Sequence, residues 1–288
     1  MILLATLIWG VGVVALRAGM DYMGPLTLTS IRFLIGGAAA LGPVLYLSRK
    51  GQRSVKCRGM LKVGLICGVV LCLSVSLRQF GLLYSAVGRV SFITSLYVIV
   101  VPMAGLFLRR KIPKAVWAGI FIALAGMYFL GFSGGMSLNT GDLFALAAAF
   151  AFAGHILLID RFAQNYDNLT LACVQAFAVG IISLVLAFIF ETPAAAGLLS
   201  GLRYILYAGI MSSFVAQVLQ MRAQKTTDPA LASILLCFEA VFATIVSWLV
   251  LSEHLTGMEI LGCGLIMAAV VVSKSPLAMI RKTRGEGL

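Results

Sequence analysis

Long apolar stretches separated by short polar segments run along the whole chain. Most stretches are about 20 residues long, the length that an α-helix needs to cross the hydrocarbon core of a bilayer. The pattern predicts spanning helices at residues 2–20, 25–47, 61–84, 87–108, 113–132, 141–160, 169–190, 202–221, 229–251 and 257–277. The predicted fold is therefore an all-α integral membrane protein with ten transmembrane helices.

The composition agrees with this pattern. Of the 288 residues, 61% are hydrophobic and only 11% are charged, whereas a soluble domain carries roughly 25% charged residues. So few charged side chains cannot cover the surface of a soluble core. Ten helices of about 20 residues each also leave only short loops, which excludes a soluble catalytic domain within this chain.

The basic residues are concentrated in alternate loops. The chain has 22 Lys and Arg against 10 Asp and Glu. With the N-terminus inside the cell, 16 of the basic residues are cytoplasmic, in segments 48–62, 109–114 and 281–288 and at Arg161, Arg222 and Lys225. Lys and Arg accumulate in cytoplasmic loops, so we expect both termini in the cytoplasm of a bacterial cell. The same bias explains the net charge of +12 without a nucleic-acid partner.

The two halves of the chain align with each other at an offset of 143 residues. The offset superimposes the first five predicted helices on the last five without a gap, and it pairs Gly37 with Gly180 and Gly119 with Gly262. Five is an odd number, so the second half enters the membrane from the opposite side. We expect two inverted five-helix repeats, 1–136 and 137–280, followed by a basic cytoplasmic tail, 281–288. Inverted repeats recur in transporters, although channels and membrane enzymes can be duplicated too, and a duplication can lack functional meaning.

Three of the predicted helices have distinctive sequences. The first helix reads ATLIWGVGVVALRAG, the second PLTLTSIRFLIGG, and the ninth DPALASILLCFEAVFATIVSWLVLSEHLT. With these segments the chain resembles the EamA-type proteins of the drug/metabolite transporter superfamily. The resemblance covers nearly the whole chain and implies transport of a metabolite such as an amino acid, a drug or a sugar. One departure is Ala240, where the family often has a proline after the mid-helix glutamate, so a kink at that point is not expected. Pro102, inside the fourth helix, predicts a kink there.

Glu239 is the acid predicted to lie deepest in the membrane. It stands 11 residues from Asp228 and 12 from Leu251, which is about 16 to 18 Å of helix in each direction. Ionisable groups within a membrane are costly and indicate function. Burial disfavours the charged form of a carboxyl, so Glu239 could take up and release a coupling proton. The alternative is a permanently neutral side chain bonded to a neighbouring helix.

Other polar side chains within the predicted spans could take part in a site. Arg32 lies about 10 Å below Pro25 and either attracts an anionic group of the substrate or serves as a structural strut; its repeat counterpart is Gln175. His155 is either a ligand or a hydrogen-bonded scaffold residue. The remaining candidates either line a polar path or pack between helices: Trp9, Gln79, Tyr97 and Gln217. Arg78 is expected to snorkel to the outer surface.

These observations favour a secondary transporter that moves a small molecule across the cytoplasmic membrane by alternating access, with protons as a candidate coupling ion. The alternatives are a membrane enzyme acting on lipid and a passive channel. The sequence has no P-loop motif, only two His residues, and no C-x-x-C among its six Cys residues. We therefore assign no catalytic residue, metal or cofactor. The expected partners are a small-molecule substrate and the lipid bilayer. Gly64 and Gly68 form a G-x-x-x-G pair, which leaves monomer and homodimer both open.

Overall fold

The fold is known from a computed structural model that describes residues 1–50, 57–107, 109, 112–131, 139–193, 195–251 and 256–273. All regular structure in these ranges is helical. The first half contains α1 (Ile2–Gly19), α2 (Pro25–Arg49), α3 (Cys57–Tyr84), α4 (Val87–Thr94), α5 (Tyr97–Phe107) and α6 (Lys114–Gly131). The second half contains α7 (Thr140–Phe162), α8 (Asn168–Phe190), α9 (Ala195–Ser200), α10 (Leu202–Leu206), a π-helical segment (Tyr207–Ala216), α11 (Gln217–Gln224), α12 (Pro229–Leu236), α13 (Phe238–Leu251) and α14 (Gly257–Ser273).

Eight stretches of helix within the described residues are long and apolar enough to cross a membrane. They are Ile2–Gly19, Pro25–Arg49, Gly59–Tyr84, Val87–Phe107, Thr140–Phe162, Asn168–Phe190, Leu202–Gln224 and Pro229–Leu249, and they match eight of the ten predicted spans. The other two predicted spans form shorter apolar helices, Lys114–Leu130 and Gly257–Ser273. The end of the last predicted span and the basic tail, 281–288, lie outside the described residues.

Large apolar side chains cover much of the outer surface. Phe107, Phe188 and Val271 are each more than two-thirds exposed, and they belong to a much larger set of exposed Leu, Ile, Phe and Met side chains. A soluble monomer rarely exposes so much apolar surface to water, whereas lipid tails solvate it. In lipid the backbone groups must be hydrogen-bonded within the protein, as they are in helices. The chain is therefore a multi-pass membrane protein.

Glycines allow the closest helix contacts. α6 packs along α14, and α2 packs along α8. A Cβ built on Gly126 would lie 2.7 Å from the carbonyl oxygen of Gly262, and a Cβ on Gly262 would lie 2.6 Å from the carbonyl oxygen of Gly126. Because van der Waals contact drives helix association in lipid, both positions need a residue without a side chain.

The predicted G-x-x-x-G pair is used within the chain. A Cβ on Gly64 would meet Val174 at 2.5 Å, and one on Gly68 would meet Ala178 at 2.6 Å. These contacts join α3 to α8. The motif therefore gives no support to a homodimer, because its small-residue face is already covered.

Two of the spanning stretches are interrupted in mid-course. One interruption separates α4 from α5 at Ser95 and Leu96, and the other separates α12 from α13 at Cys237. At each interruption a backbone hydrogen bond spans three residues instead of the four of an α-helix. The Val98 N–H donates to the Ser95 carbonyl, and the Ala240 N–H donates to the Cys237 carbonyl. The first break precedes Pro102, where the kink was predicted. The second lies three residues before Ala240, at a point where no interruption was predicted.

Candidate functional site

A cavity lies in the middle of the helix bundle, beside both interrupted helices. It offers about 70 Å³ to the centres of water-sized molecules, which is room for a few waters or a small solute. Its polar lining comes from both halves of the chain: Trp9, Arg32, Arg78, Ser91, Thr94, Ser95, Tyr97, His155, Ser212, Gln217, Gln220 and Glu239. Its apolar lining consists of Phe33, Leu71, Val75, Phe152, Ile156, Leu236 and Ala240.

An ion pair crosses the cavity between the two halves. Arg78 Nη1 of α3 donates to Glu239 Oε1 of α13 over 2.6 Å. Glu239 is the second residue of α13, directly after the interruption at Cys237, so the break in the helix places the carboxylate at the cavity wall. The Arg78 guanidinium also lies 5.5 Å from the centre of the Phe152 ring. The pair is mostly shielded, since the two side chains are 15% and 18% exposed.

The prediction that Arg78 snorkels to the surface was wrong. Arg78 stands six residues before the end of α3 at Tyr84, which places it about 9 Å below that end. At this depth an arginine needs a partner, and Glu239 supplies one. The signal in the sequence that could have identified this pair is that Arg78 and Glu239 are opposite charges within predicted spans, one in each half of the chain.

Arg32 is more deeply buried than Arg78 and has a weaker set of partners. Its side chain is 3% exposed. Its Nη1 donates to Ser213 Oγ over 3.2 Å, and its guanidinium lies 4.4 Å from the centre of the Phe33 ring. Among the described residues, Nε has no hydrogen-bond partner. Arg32 therefore lines the cavity without a direct contact to any carboxylate of the described residues.

His155 and Gln175 form a buried hydrogen-bonded pair. His155 Nε2 lies 2.9 Å from Gln175 Oε1, so the ring nitrogen donates to the amide oxygen. His155 lines the cavity, whereas Gln175 stands behind it and does not. This contact matches the scaffold interpretation of His155, because the glutamine fixes the orientation of the ring.

The other predicted residues divide between lining and packing positions. Trp9 lines the cavity and donates from Nε1 to the carbonyl oxygen of Ser212 over 3.0 Å. Tyr97 begins α5 and Gln217 begins α11, and both line the cavity. Gln79 is buried but is not among the lining residues. Thr94 lines the cavity and was not predicted, because a hydroxyl within an apolar helix has no distinctive pattern.

The π-helical segment shapes the wall that holds Arg32. A π-helix shifts each hydrogen bond by one residue relative to an α-helix and often marks a functional site. Here it presents Ser213 to Arg32 and the Ser212 carbonyl to Trp9. In the opposite direction, the Tyr207 hydroxyl donates to the carbonyl oxygen of Ile8 over 3.0 Å. Two reciprocal hydrogen bonds therefore join α1 to the π-helical segment.

Comparison with known proteins gives concordant results. The sequence model of the EamA-like transporter family matches residues 1–132 and 139–274. An uncharacterized transporter of Archaeoglobus fulgidus is 30% identical over 270 residues, which cover 93% of this chain and 83% of that protein. The uncharacterized inner membrane transporter YedA of Escherichia coli is 26% identical over 92% of this chain and 87% of its own length. One solved crystal structure has a TM-score of 0.73 at 21% identity and covers 93% of this chain and 97% of its own.

Proposed function

The chain belongs to the EamA-like transporter family, and we propose that it is a secondary transporter that moves a small solute through the central cavity by alternating access. The observation that carries the proposal is the Arg78–Glu239 ion pair, which joins the two halves inside a cavity flanked by two interrupted helices. Transporters place their sites at such interfaces, where broken helices free backbone groups for binding. A lipid-cleaving enzyme would instead need clustered catalytic side chains near a membrane surface.

The proposal includes ten spans arranged as two inverted repeats. The glycine contacts support it, because they come in pairs related by the offset of 143. Gly37 packs on Phe177 and Gly180 packs on Leu34, while Gly126 packs on Gly262 and Gly119 packs on the carbonyl of Ala269. In each pair of contacts, adding 143 to the number of one contacting residue and subtracting 143 from the number of the other gives the two residues of the second contact. A two-fold axis in the membrane plane produces this exchange.

The third helix of each repeat follows the same rule with a shorter offset. Gly68 packs on Gln175 and Ala178, and Gly209 packs on Arg32 and Ile35, which pairs Gly68 with Gly209 at an offset of 141. The π-helical segment, Tyr207–Ala216, begins beside Gly209. A π-helix takes roughly one residue more per turn than an α-helix. The extra residues of this segment therefore account for the change of the offset from 141 at Gly209 back to 143. The π-helical segment would therefore be an insertion specific to the second repeat.

Glu239 is the proposed coupling residue. Its carboxylate is held by Arg78 in this conformation, so a proton that binds Glu239 removes the charge that attracts Arg78. Losing this attraction weakens the contact between α3 and α13 across the cavity. Proton binding would then be linked to the change between conformations, as coupling requires.

Transport assays in proteoliposomes test this function. The purified protein is reconstituted and screened with radiolabelled amino acids, carboxylates and amines, with and without an imposed pH gradient. A transporter accumulates its solute against a concentration gradient, whereas a channel only equilibrates it. The absence of flux for every solute, or flux that never exceeds equilibrium under any gradient, would contradict the proposal.

A further inference from the structure

The charges of the cavity do not balance. Among the described residues that line it, the formally charged groups are Arg32, Arg78 and Glu239. Arg78 and Glu239 neutralise each other through their ion pair, and the Arg32 side chain contacts a neutral hydroxyl and an aromatic ring in the described part of the chain. The cavity therefore carries one uncompensated positive charge. Protonation of His155 would add to this charge rather than cancel it.

The unused hydrogen-bonding atoms of the lining include two N–H donors. In the described part of the chain, Arg32 Nε and Gln217 Nε2 both lack hydrogen-bond partners. Both side chains are at least 95% buried. A buried donor without an acceptor is costly, and a carboxylate supplies two acceptor oxygens that ionised Arg binds especially well. A cationic solute would instead have to compete with Arg78 for Glu239.

The rest of the lining determines the polarity and the size of the ligand that fits. Leu71, Val75, Phe152, Ile156 and Leu236 present an apolar surface, and the space suits a small solute. Apolar walls with a few placed polar groups are typical of small-molecule sites, where the polar groups fix the orientation.

We infer that the substrate is a small organic anion, with one carboxylate bound by Arg32 and a short apolar body against the lining of α3 and α7. The inference rests on the proposed transport function, since it assigns a substrate class to the same cavity. The inferred site favours carboxylates that lack an amino group over zwitterionic amino acids. The ammonium of an amino acid has no carboxylate available to it unless Arg78 gives up Glu239.

Three solutes with the same branched chain and different charges test the inference. They are 4-methyl-2-oxopentanoate (an anion), leucine (a zwitterion) and isopentylamine (a cation). Binding to the purified full chain in detergent is measured by calorimetry. We expect the anion to bind at least tenfold more tightly than the other two. Binding of leucine or isopentylamine as tight as that of the anion, or no binding of the anion at millimolar concentration, would overturn the inference.

Variants locate the binding to Arg32. Arg32→Gln should weaken binding of 4-methyl-2-oxopentanoate by at least tenfold, and Arg32→Lys should retain part of the affinity because it keeps the charge. Arg17→Gln is the matched control, since Arg17 is exposed and pairs with Asp21 away from the cavity. Unchanged affinity in a folded Arg32→Gln protein would overturn the assignment. If Arg32→Gln does not fold, the comparison of the three solutes on the unmodified protein decides whether the site prefers anions.

The inference and the proposed function can fail separately. Transport of leucine or isopentylamine without binding of the keto acid would overturn the anion assignment but would still support the proposed transport function. Binding of the keto acid that depends on Arg32, without flux of any solute through proteoliposomes, would support the anion site and contradict the transport function.

Discussion

At the scale of single residues, the ion pair between Arg78 and Glu239 dominates the cavity. Two charges shielded from water stabilise a protein only while both are present, because either charge alone keeps its desolvation cost and loses its partner. The pair is partly open to the cavity, so the cost of an unpaired charge should be moderated by water. Its distance of 2.6 Å is nevertheless that of a strong, charge-assisted hydrogen bond.

A double-mutant cycle should reveal this coupling. Arg78→Gln leaves Glu239 unpaired and should lower stability by roughly 3 kcal/mol, near the lower end for shielded pairs. Adding Glu239→Gln removes the unpaired charge, so the double variant should be more stable than Arg78→Gln alone. Thermal melting of the four proteins in one detergent measures this. Additive losses would show that the two side chains do not interact.

Sequence alone located many of the lining residues but could not pair them. Depth along a helix identified Glu239 and Arg32, because charged groups within a span are rare and costly. The partner of Glu239 was missed, since the rotation of α3 about its axis depends on contacts with other helices. Gln79 and Gln175 were grouped with the lining residues for the same reason, because polarity gives depth but not direction.

At the scale of helices, two hydrogen bonds join α1 to the π-helical segment. The Trp9 side chain donates to Ser212, and the Tyr207 side chain donates to Ile8. Of the two donor side chains, Trp9 lines the cavity and Tyr207 does not. The two bonds therefore offer a matched comparison of a packing role with a role in the transport path.

Trp9→Phe and Tyr207→Phe each remove one of these donors. Tyr207→Phe should lower stability by about 1 kcal/mol, the typical net contribution of a hydrogen bond, and Trp9→Phe should cost more because it also removes part of a packed ring. Trp9→Phe should also reduce the rate of solute exchange, because it alters the cavity wall, whereas Tyr207→Phe should not. Melting temperature and exchange rate in proteoliposomes are the two measurements. Equal effects on exchange would remove Trp9 from the transport path.

Glycine positions in α14 give a sharper packing test. Gly262→Ala places a methyl group against the backbone of Gly126 and should destabilise the protein by roughly 1–3 kcal/mol. Gly264, two residues away, has no atom of the described residues within 4 Å of an added Cβ. Gly264→Ala should therefore be neutral or stabilising by up to about 1 kcal/mol, because alanine favours the helix. A Gly262→Ala protein that melts like its Gly264→Ala control would contradict the close contact of α6 with α14.

At the scale of the whole molecule, hydrophobic spacing predicted most of the fold. Eight predicted spans were found as long apolar helices, since about 20 apolar residues have few alternatives to a membrane helix. The interruptions at Ser95 and Cys237 were not predicted at their positions. Proline was the only signal used for them, and neither break occurs at a proline. The π-helical segment was not foreseen either, because hydrophobic spacing over ten residues does not separate it from an α-helix.

The proposed orientation predicts that both termini are cytoplasmic. A fluorescent protein that matures only in the cytoplasm, fused after Leu288, should give signal in intact bacteria. Alkaline phosphatase, which folds only outside the cytoplasm, should be inactive at the same position. The charge bias of the loops is the physical reason. A dark fluorescent fusion together with an active phosphatase fusion would contradict the orientation.

The central claim is that the cavity carries a solute across the membrane and that Glu239 couples this movement to protons. The most direct measurement is accumulation, under an imposed pH gradient, of whichever of the three matched solutes binds most tightly. Glu259→Gln is the control for Glu239→Gln, because Glu259 is not among the cavity-lining residues and its carboxylate caps α14 at Thr256. We expect uphill accumulation by the unmodified protein and by Glu259→Gln, and exchange without accumulation by Glu239→Gln. Accumulation by Glu239→Gln at the rate of the unmodified protein would contradict the claim.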